Sequence, residues 1–378
     1  MISIVIPTMN RSDFVIRTLR YYVETGFSGT ILLGDSSGPE HAAPTVAYLD
    51  RIRDRLNVTY LACPGLPDRE TQHRLATMVE TRYAALMGDD DFLVTQGLDA
   101  CVAFLDANPG FTGANGRAWA FRVEPANPGD GEVYGEIDVF DAYPQPEFLQ
   151  VAAAERYAAH MTNYRATLFT VHRTEVWREL FADVLMFDDR AFGSELVPTT
   201  LSPVLGRVKH LDRMYLLRQD HGRRYQLPQV DDWRAQPRWQ ANFERFRDLM
   251  VERIRAQDGG SVEDLKSFVE EAFTRGYLSR FAGAAPSVPP AALGPEPEIG
   301  VLRGFARSIP GARTAFRALA SAYRELKQPS GILRQPEVAP PHFTSPLRDW
   351  LRPGSEHFAS FDSVRRIVSN PTVQETAH

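Results

Sequence analysis

Tyr83-Ala84-Ala85-Leu86-Met87-Gly88-Asp89-Asp90-Asp91-Phe92-Leu93 decides the fold: an apolar run with the length of a buried strand, followed by three carboxylates with no spacer. Adjacent anions repel, and inside a folded chain that repulsion is relieved by a divalent cation or by backbone donors. A second account is purely local. Short acids after a strand build turns and cap helices, and Asp91 stands where an N-cap ahead of Leu93 would belong. The flanking sequence has to choose between the two.

Working outward, Ile2-Ser3-Ile4-Val5-Ile6-Pro7-Thr8-Met9-Asn10-Arg11 is a β-branched run that ends at a proline and turns polar. Isoleucine and valine favour the packed, pleated state, and Pro7 has no N–H for a ladder. A helix follows, with Ser12 or Asp13 as its expected cap and Val15, Ile16, Leu19 and Val23 as its buried stripe. Thr30-Ile31-Leu32-Leu33-Gly34 is a second strand that runs into Asp35-Ser36-Ser37-Gly38-Pro39. Next come a helix over 45–56, a short strand over Val58-Thr59-Tyr60-Leu61, and a helix over 70–81. Alternating strands and helices predict an α/β protein with a mostly parallel sheet flanked by helices. Ligands of such sheets sit at the carboxyl ends of the strands, which places Thr8, Asn10, Arg11, Asp35 and Asp89 to Asp91 along one rim.

The loops at those strand ends, Pro7-Thr8-Met9-Asn10-Arg11, Asp35-Ser36-Ser37 and Gly88-Asp89-Asp90-Asp91, together resemble the signature of family 2 nucleotide-sugar glycosyltransferases of the GT-A fold. The resemblance spans residues 1–225 and is most specific in the first hundred, where three separate loops agree. It implies transfer of a sugar from a nucleoside diphosphate to an acceptor hydroxyl. It further implies that Pro7, Thr8, Asn10 and Arg11 touch the nucleotide and that Asp35 meets the base. The aspartates match the family's DxD motif, with Asp91 the metal ligand and Asp89 or Asp90 facing the ribose and sugar. The implied cofactor is Mn²⁺ or Mg²⁺. A hard cation of this kind takes oxygen ligands and needs only one or two carboxylates when phosphates fill its other positions.

Downstream, Asn163-Tyr164-Arg165 through His172-Arg173 resembles the segment carrying the acceptor side, with a helix through Trp177 and Leu180 behind it. Ser194-Glu195-Leu196 falls where the family often has an adjacent acid pair, so Glu195 is the candidate base of an inverting transfer, with Asp188 and Asp189 as alternatives. As residues alone, Glu195 also suits a solvated helix face and Asp188-Asp189 a cap. His221, at the end of Tyr215-Leu216-Leu217-Arg218-Gln219-Asp220-His221, fits a metal or phosphate ligand and equally a structural histidine. Arg218, Arg223 and Arg224 are candidates for phosphate contacts or for ordinary surface arginines.

The 378 residues suit one catalytic domain with an appendage; 43% are hydrophobic and 24% charged, as in soluble globular chains. A formal net charge of -6 argues against nucleic acid as a partner. No stretch has the length of a membrane span, and the polar start is unlike a secretory signal, so a cytoplasmic location is expected. Cys63 and Cys101 make neither a disulfide framework nor a zinc site and are expected as buried thiols. The expected organisation is a catalytic domain over 1–230 with nucleotide (1–115) and acceptor (116–230) halves, then a helical extension over 231–283. A proline-rich linker over 284–298 and a helical region over 299–378 follow. In the extension, Trp239, Phe243, Phe246, Leu249 and Met250 recur at helical spacing, and a helix over 262–279 starts at a Ser261 cap. Residues 301–327 form a basic amphipathic pattern that suits either docking on the catalytic domain or peripheral contact with the inner membrane face.

The acceptor class is open: a saccharide, or a lipid-linked or protein-linked glycan of bacterial surface polysaccharide or glycoconjugate synthesis. Two other functions are weighed, a nucleotidyltransferase on a related fold and a non-catalytic sugar-binding relative. The first wants a glycine- and lysine-rich loop after strand one, which Pro7-Thr8-Met9-Asn10 is not; the second is disfavoured by the intact triplet.

Overall fold

The computed structural model describes residues 1–125, 132–140, 143–224, 229–279 and 351–370. It is an α/β protein with a central sheet flanked by helices and a helical carboxyl-terminal part. The first half alternates strictly: β1 (Ile2–Thr8), α1 (Ser12–Glu24), β2 (Thr30–Asp35), α2 (Pro39–Ile52), β3 (Asn57–Ala62), α3 (Asp68–Thr77), β4 (Tyr83–Leu86). After the short β5 (Phe92–Leu93) come α4 (Thr95–Ala107), β6 (Gly113–Glu124), β7 (Glu136–Phe140), α5 (Ala153–Thr162), β8 (Val171–Arg173) and α6 (Thr174–Ala182). A wide turn of π-helix over Ala191–Leu196 leads into α7 (Val197–Leu205) and β9 (Val208–Gln219). Helices α8 (Val230–Arg234), α9 (Trp239–Asp258), α10 (Val262–Ala272) and α11 (Phe358–Ser369) complete the described chain.

The strand order is β3-β2-β1-β4-β8-β6-β9-β5, with β7 on the outside of β6. Strands β3, β2, β1 and β4 are all parallel, so their carboxyl ends share one rim. Beyond β4 the directions mix: β8 is antiparallel to both neighbours, while β9 runs parallel to β6. Period-two alternation sorts the side chains onto two faces. Ile4, Ile6, Ile31 and Leu33 face one core with α1, α4 and α11, whereas Val5 and Leu32 face the other with α3, α5, α6, α7 and α9. The aromatic face of α9 lies wholly in that second core, so the helical extension and the sheet share one apolar interior.

Several elements differ from expectation in instructive ways. Helix α2 starts at Pro39 rather than after Pro44, because proline at the first helical position has no N–H to leave unpaired. Arg11 occupies the N-cap of α1; Asp13 instead accepts from the Phe14 N–H inside the first turn, at 3.0 Å. Asp91 caps nothing, since α4 begins at Thr95 after an uncapped Val94. The late segment from Tyr215 belongs to a longer strand, β9, which starts at Val208, ends at Gln219 and shifts register on β6 twice between Gly116 and Ala118. Ser261 does cap α10, accepting from the Asp264 N–H at 3.1 Å. Cys63 and Cys101 are buried and unpaired to one another. Segments 284–298 and 301–327 lie outside the described residues. No helix among the described residues is long and apolar enough to cross a membrane.

Helix α4 lies so close to β9 that a Cβ on Gly97 would stand 2.3 Å from the Met214 carbonyl oxygen and 2.8 Å from the Tyr215 Cα. Both are backbone atoms and cannot turn aside. Gly97→Ala is therefore expected to destabilise the protein by about 1–3 kcal/mol, measured by urea denaturation.

Candidate active site

The acidic turn sits at the carboxyl end of β4, held from below by α1. Thr18 Oγ1 donates to the Asp89 carbonyl at 2.9 Å, and Arg17 Nη2 donates to the Asp90 carbonyl at 2.7 Å. Arg17 is fully buried. Its guanidinium also reaches Gln219 Oε1 at 2.7 Å and the Val133 carbonyl at 2.9 Å, while lying over the rings of Phe14 and Phe92. Burial draws its pKa down to about 10 against the pull of the aspartates.

Arg11 bridges the first two carboxylates, and each acid has a further partner of its own. Asp89 accepts from Thr8 Oγ1 at 2.6 Å and from Arg11 Nη1 at 2.7 Å. Asp90 accepts from Arg11 at 3.1 Å and from His221 Nε2 at 2.7 Å. Asp91 accepts from the Gln219 N–H at 3.0 Å, and its second oxygen lies 3.6 Å from Arg218 Nε. All three are buried. Burial, with the neighbouring charge of Asp90, raises Asp89 to about 6 and Asp91 to about 7. Burial would raise Asp90 as well, but its bond from His221 and the charge of Arg11 outweigh it and hold its pKa low.

Four of the expected donor residues therefore cluster, Thr8 and Arg11 with Asp89 and Asp90, and Pro7 lies one residue before Thr8 on the same strand. Asn10 is exposed with φ of 57°; its N–H donates to Ser37 Oγ at 2.7 Å, joining the β1 and β2 loops. Asp35 is buried at the end of β2, accepting from the Ser37 N–H at 2.9 Å and from the Tyr60 hydroxyl at 3.2 Å. It lines the same rim without touching the triplet.

His221, expected as a metal or phosphate ligand, lies against the triplet. Its Nδ1 accepts the Arg223 N–H at 3.1 Å, which puts the proton on Nε2 and aims it at Asp90. With both nitrogens engaged and its ring stacked on Phe14 at 4.8 Å, it steers an acid. Among the described residues no three His, Cys, Asp or Glu side chains converge as a metal cage. Two carboxylate oxygens nonetheless face one space. A Cβ on Gly88 would stand 2.6 Å from Asp90 Oδ1 and 2.9 Å from Asp91 Oδ2, so glycine keeps open a cradle that both acids border. That pair suits a Mg²⁺ or Mn²⁺ ion completed by phosphate oxygens.

Glu195, in the π-helical turn, is near enough to Arg218 for their charges to act on each other. Arg218 lies over the rings of Tyr143, at 4.5 Å, and Phe169, at 5.0 Å, which meet edge to face with centroids 6.1 Å apart; burial works against its charge, and the charges of Asp91, Asp90 and Glu195 help keep it protonated. Burial raises the Glu195 pKa, opposed by Arg218 and by a hydrogen bond from Tyr164. The turn itself is pinned by Asp68 at the start of α3, which accepts from Ser194 Oγ at 2.7 Å and pairs with Arg190.

Asp188 and Asp189 serve the helical extension instead. Asp188 is exposed and bonded to Asn242 Nδ2 at 2.6 Å. Asp189 is buried, accepting from the Phe192 N–H at 3.0 Å and from Trp233 Nε1 at 3.1 Å. Glu195 is the one of these three acids that shares its surroundings with the triplet. Arg17, Thr18, Gln219 and Asp68 were missed from sequence. For Arg17 no signal existed, since at helical spacing it falls on the face opposite the Val15, Ile16, Leu19 and Val23 stripe.

No family model and no curated protein matches the sequence. Among solved structures, S. aureus TarS aligns at 12% identity over 75% of this chain and 44% of that one, with a TM-score of 0.47. TarS 1-349 in complex with UDP-GlcNAc aligns at 15% identity over 72% of each chain (TM-score 0.48). The same fragment with UDP aligns at 14% identity over 72% and 71% (TM-score 0.46). This chain thus spans less than half the length of the first. At such identities and scores, nothing about donor or acceptor passes from those proteins to this one.

The raised acids set a pH dependence. Asp89 and Asp91 keep protons in the folded state that the unfolded chain loses near pH 4, so their contribution to stability falls as pH climbs from about 4 through about 7. Asp91→Asn is expected to flatten that slope in metal-free buffer. It should raise the melting temperature at pH 7.5, by about 2–4 °C for each kcal/mol relieved, as read by calorimetry across pH.

Proposed function

We propose that this protein is a metal-dependent glycosyltransferase that moves a sugar, with inversion, from a nucleoside diphosphate to an acceptor hydroxyl. The observation that carries this reading is the gathering of Thr8, Arg11, Asp89 to Asp91 and Arg218 at one rim of the sheet, with Glu195 within electrostatic reach of Arg218. It joins a cation-binding acid pair, arginines able to meet phosphates, and a separate acid for a proton.

In this reading residues 1–115 hold the donor and 116–230 the acceptor. Thr8, Asn10 and Asp35 line the nucleotide, with Arg11, Arg218 and Arg224 placed for the diphosphate. Asp91 and Asp90 would hold Mg²⁺ or Mn²⁺ at the Gly88 cradle, and a bound ion would supply positive charge against the leaving diphosphate. Glu195 takes the proton of the acceptor hydroxyl as that oxygen bonds to the sugar carbon. The carbon–oxygen bond to the diphosphate breaks with its electron pair. The acceptor is a saccharide or a lipid- or protein-linked glycan of bacterial surface synthesis, met at the cytoplasmic side.

Thermal-shift screening against UDP-, GDP-, TDP- and CMP-sugars, with and without Mn²⁺, tests the donor half. Stabilisation by a nucleoside diphosphate only with metal is expected; no metal-dependent shift with any of them overturns the reading. Asp91→Ala should abolish that shift. Glu195→Gln should keep it while lowering turnover about 10²–10⁴-fold in an assay of nucleoside diphosphate release, and near-normal turnover would remove Glu195 from the base role.

A further inference from the structure

Glu195 has one hydrogen-bond donor among the described residues, the Tyr164 hydroxyl, 3.1 Å from Oε1. Tyr164 follows the last turn of α5 and is 4% exposed. Its ring is wedged between His160, at 5.0 Å between centroids, and Tyr277, at 4.7 Å and nearly perpendicular. Such packing leaves the ring little freedom to swing away. We propose that Tyr164 is a positioning residue for Glu195: its hydroxyl holds one carboxylate oxygen and so aims the other at the acceptor hydroxyl. This rests on the reading of Glu195 as the base.

The surroundings support a fixed donor. Burial, reinforced by the Glu195 charge, holds the Tyr164 hydroxyl well above its ordinary pKa, so it stays protonated at any working pH. The charged or titratable groups that act on Glu195 are Arg218 and Arg224 from the end of β9, Arg190 beside the turn, and the phenols of Tyr143, Tyr164 and Tyr277. The arginines favour the carboxylate from a distance; Tyr164 fixes its direction. A hydrogen bond to an anionic carboxylate lowers its pKa, so deleting the hydroxyl raises it. The acid limb of the pH–rate profile then moves to higher pH.

Tyr164→Phe in the full chain is the test, because it removes one oxygen and keeps the ring. The Glu195 carboxyl is followed by ¹³C NMR titration of glutamate-labelled protein, with its signal assigned by its loss in Glu195→Gln. Turnover is followed as nucleoside diphosphate released from UDP-, GDP- and TDP-sugars. The expected result is an upward titration midpoint, a kcat lower by about tenfold, and a donor KM changed less than twofold. An unmoved midpoint, or an unchanged kcat, overturns the proposal. If Tyr164→Phe fails to fold, 3-fluorotyrosine at position 164, a stronger donor, should move the midpoint down; no movement overturns the proposal equally. Failure of the underlying reading is separate, since it appears as near-normal turnover in Glu195→Gln.

Discussion

Three adjacent carboxylates buried at the end of β4 constrain everything around them. Two unit charges 4 Å apart at an effective dielectric near 20 repel by about 4 kcal/mol, which is comparable with the whole net stability of many domains. The fold answers with a separate partner for each acid and a fully buried guanidinium beneath the turn. Those partners come from α1, the β1 loop and the end of β9, so closing the site requires most of the sheet to be assembled. The residual strain is visible in Asp89 and Asp91, which keep elevated proton affinity. Such acids are poorly served by protein alone and are suited to a cation.

The parallel half was legible in the sequence because its signals are local. Each strand is a short apolar run, each helix has one stripe, and the polar residues fall at strand ends, so period and punctuation suffice to place Thr8, Asp35 and Asp89 on one rim. The mixed half was less legible. β9 forms a single twelve-residue strand only because β6 accommodates two register shifts, and nothing in Gly206 to Gln219 announces that pairing. The landing of α11 against α1 and β7 is likewise a long-range event: Arg20 reaches the Asn370 carbonyl and the Gly135 N–H reaches that of Val368.

At the site the same division holds. Residue types that carry chemistry stood out, whereas the groups that orient them did not. His221 stood out as a residue type, but the Arg223 N–H that decides its tautomer did not. A backbone donor leaves no trace in composition. Asp188 and Asp189 looked like rivals of Glu195 until tertiary packing tied them to Asn242, Phe192 and Trp233.

Strand β9 joins the two chemical halves of the proposed reaction. Its Gln219 N–H holds Asp91, and the preceding Arg218 approaches Asp91 and feels the charge of Glu195 while seated against two aromatic rings. Adjacent strand residues point to opposite sides, so one backbone segment serves the acid with its N–H and the gap between donor and acceptor with a guanidinium. A cation fixed there can stabilise negative charge on a departing diphosphate and on a carboxylate awaiting a proton. As transfer proceeds the first charge grows and the second is neutralised, so the arginine faces a nearly constant total charge and needs no large movement. Its seat against Tyr143 and Phe169 is consistent with that demand, because preorganised charge loses least to reorganisation when charge moves past it.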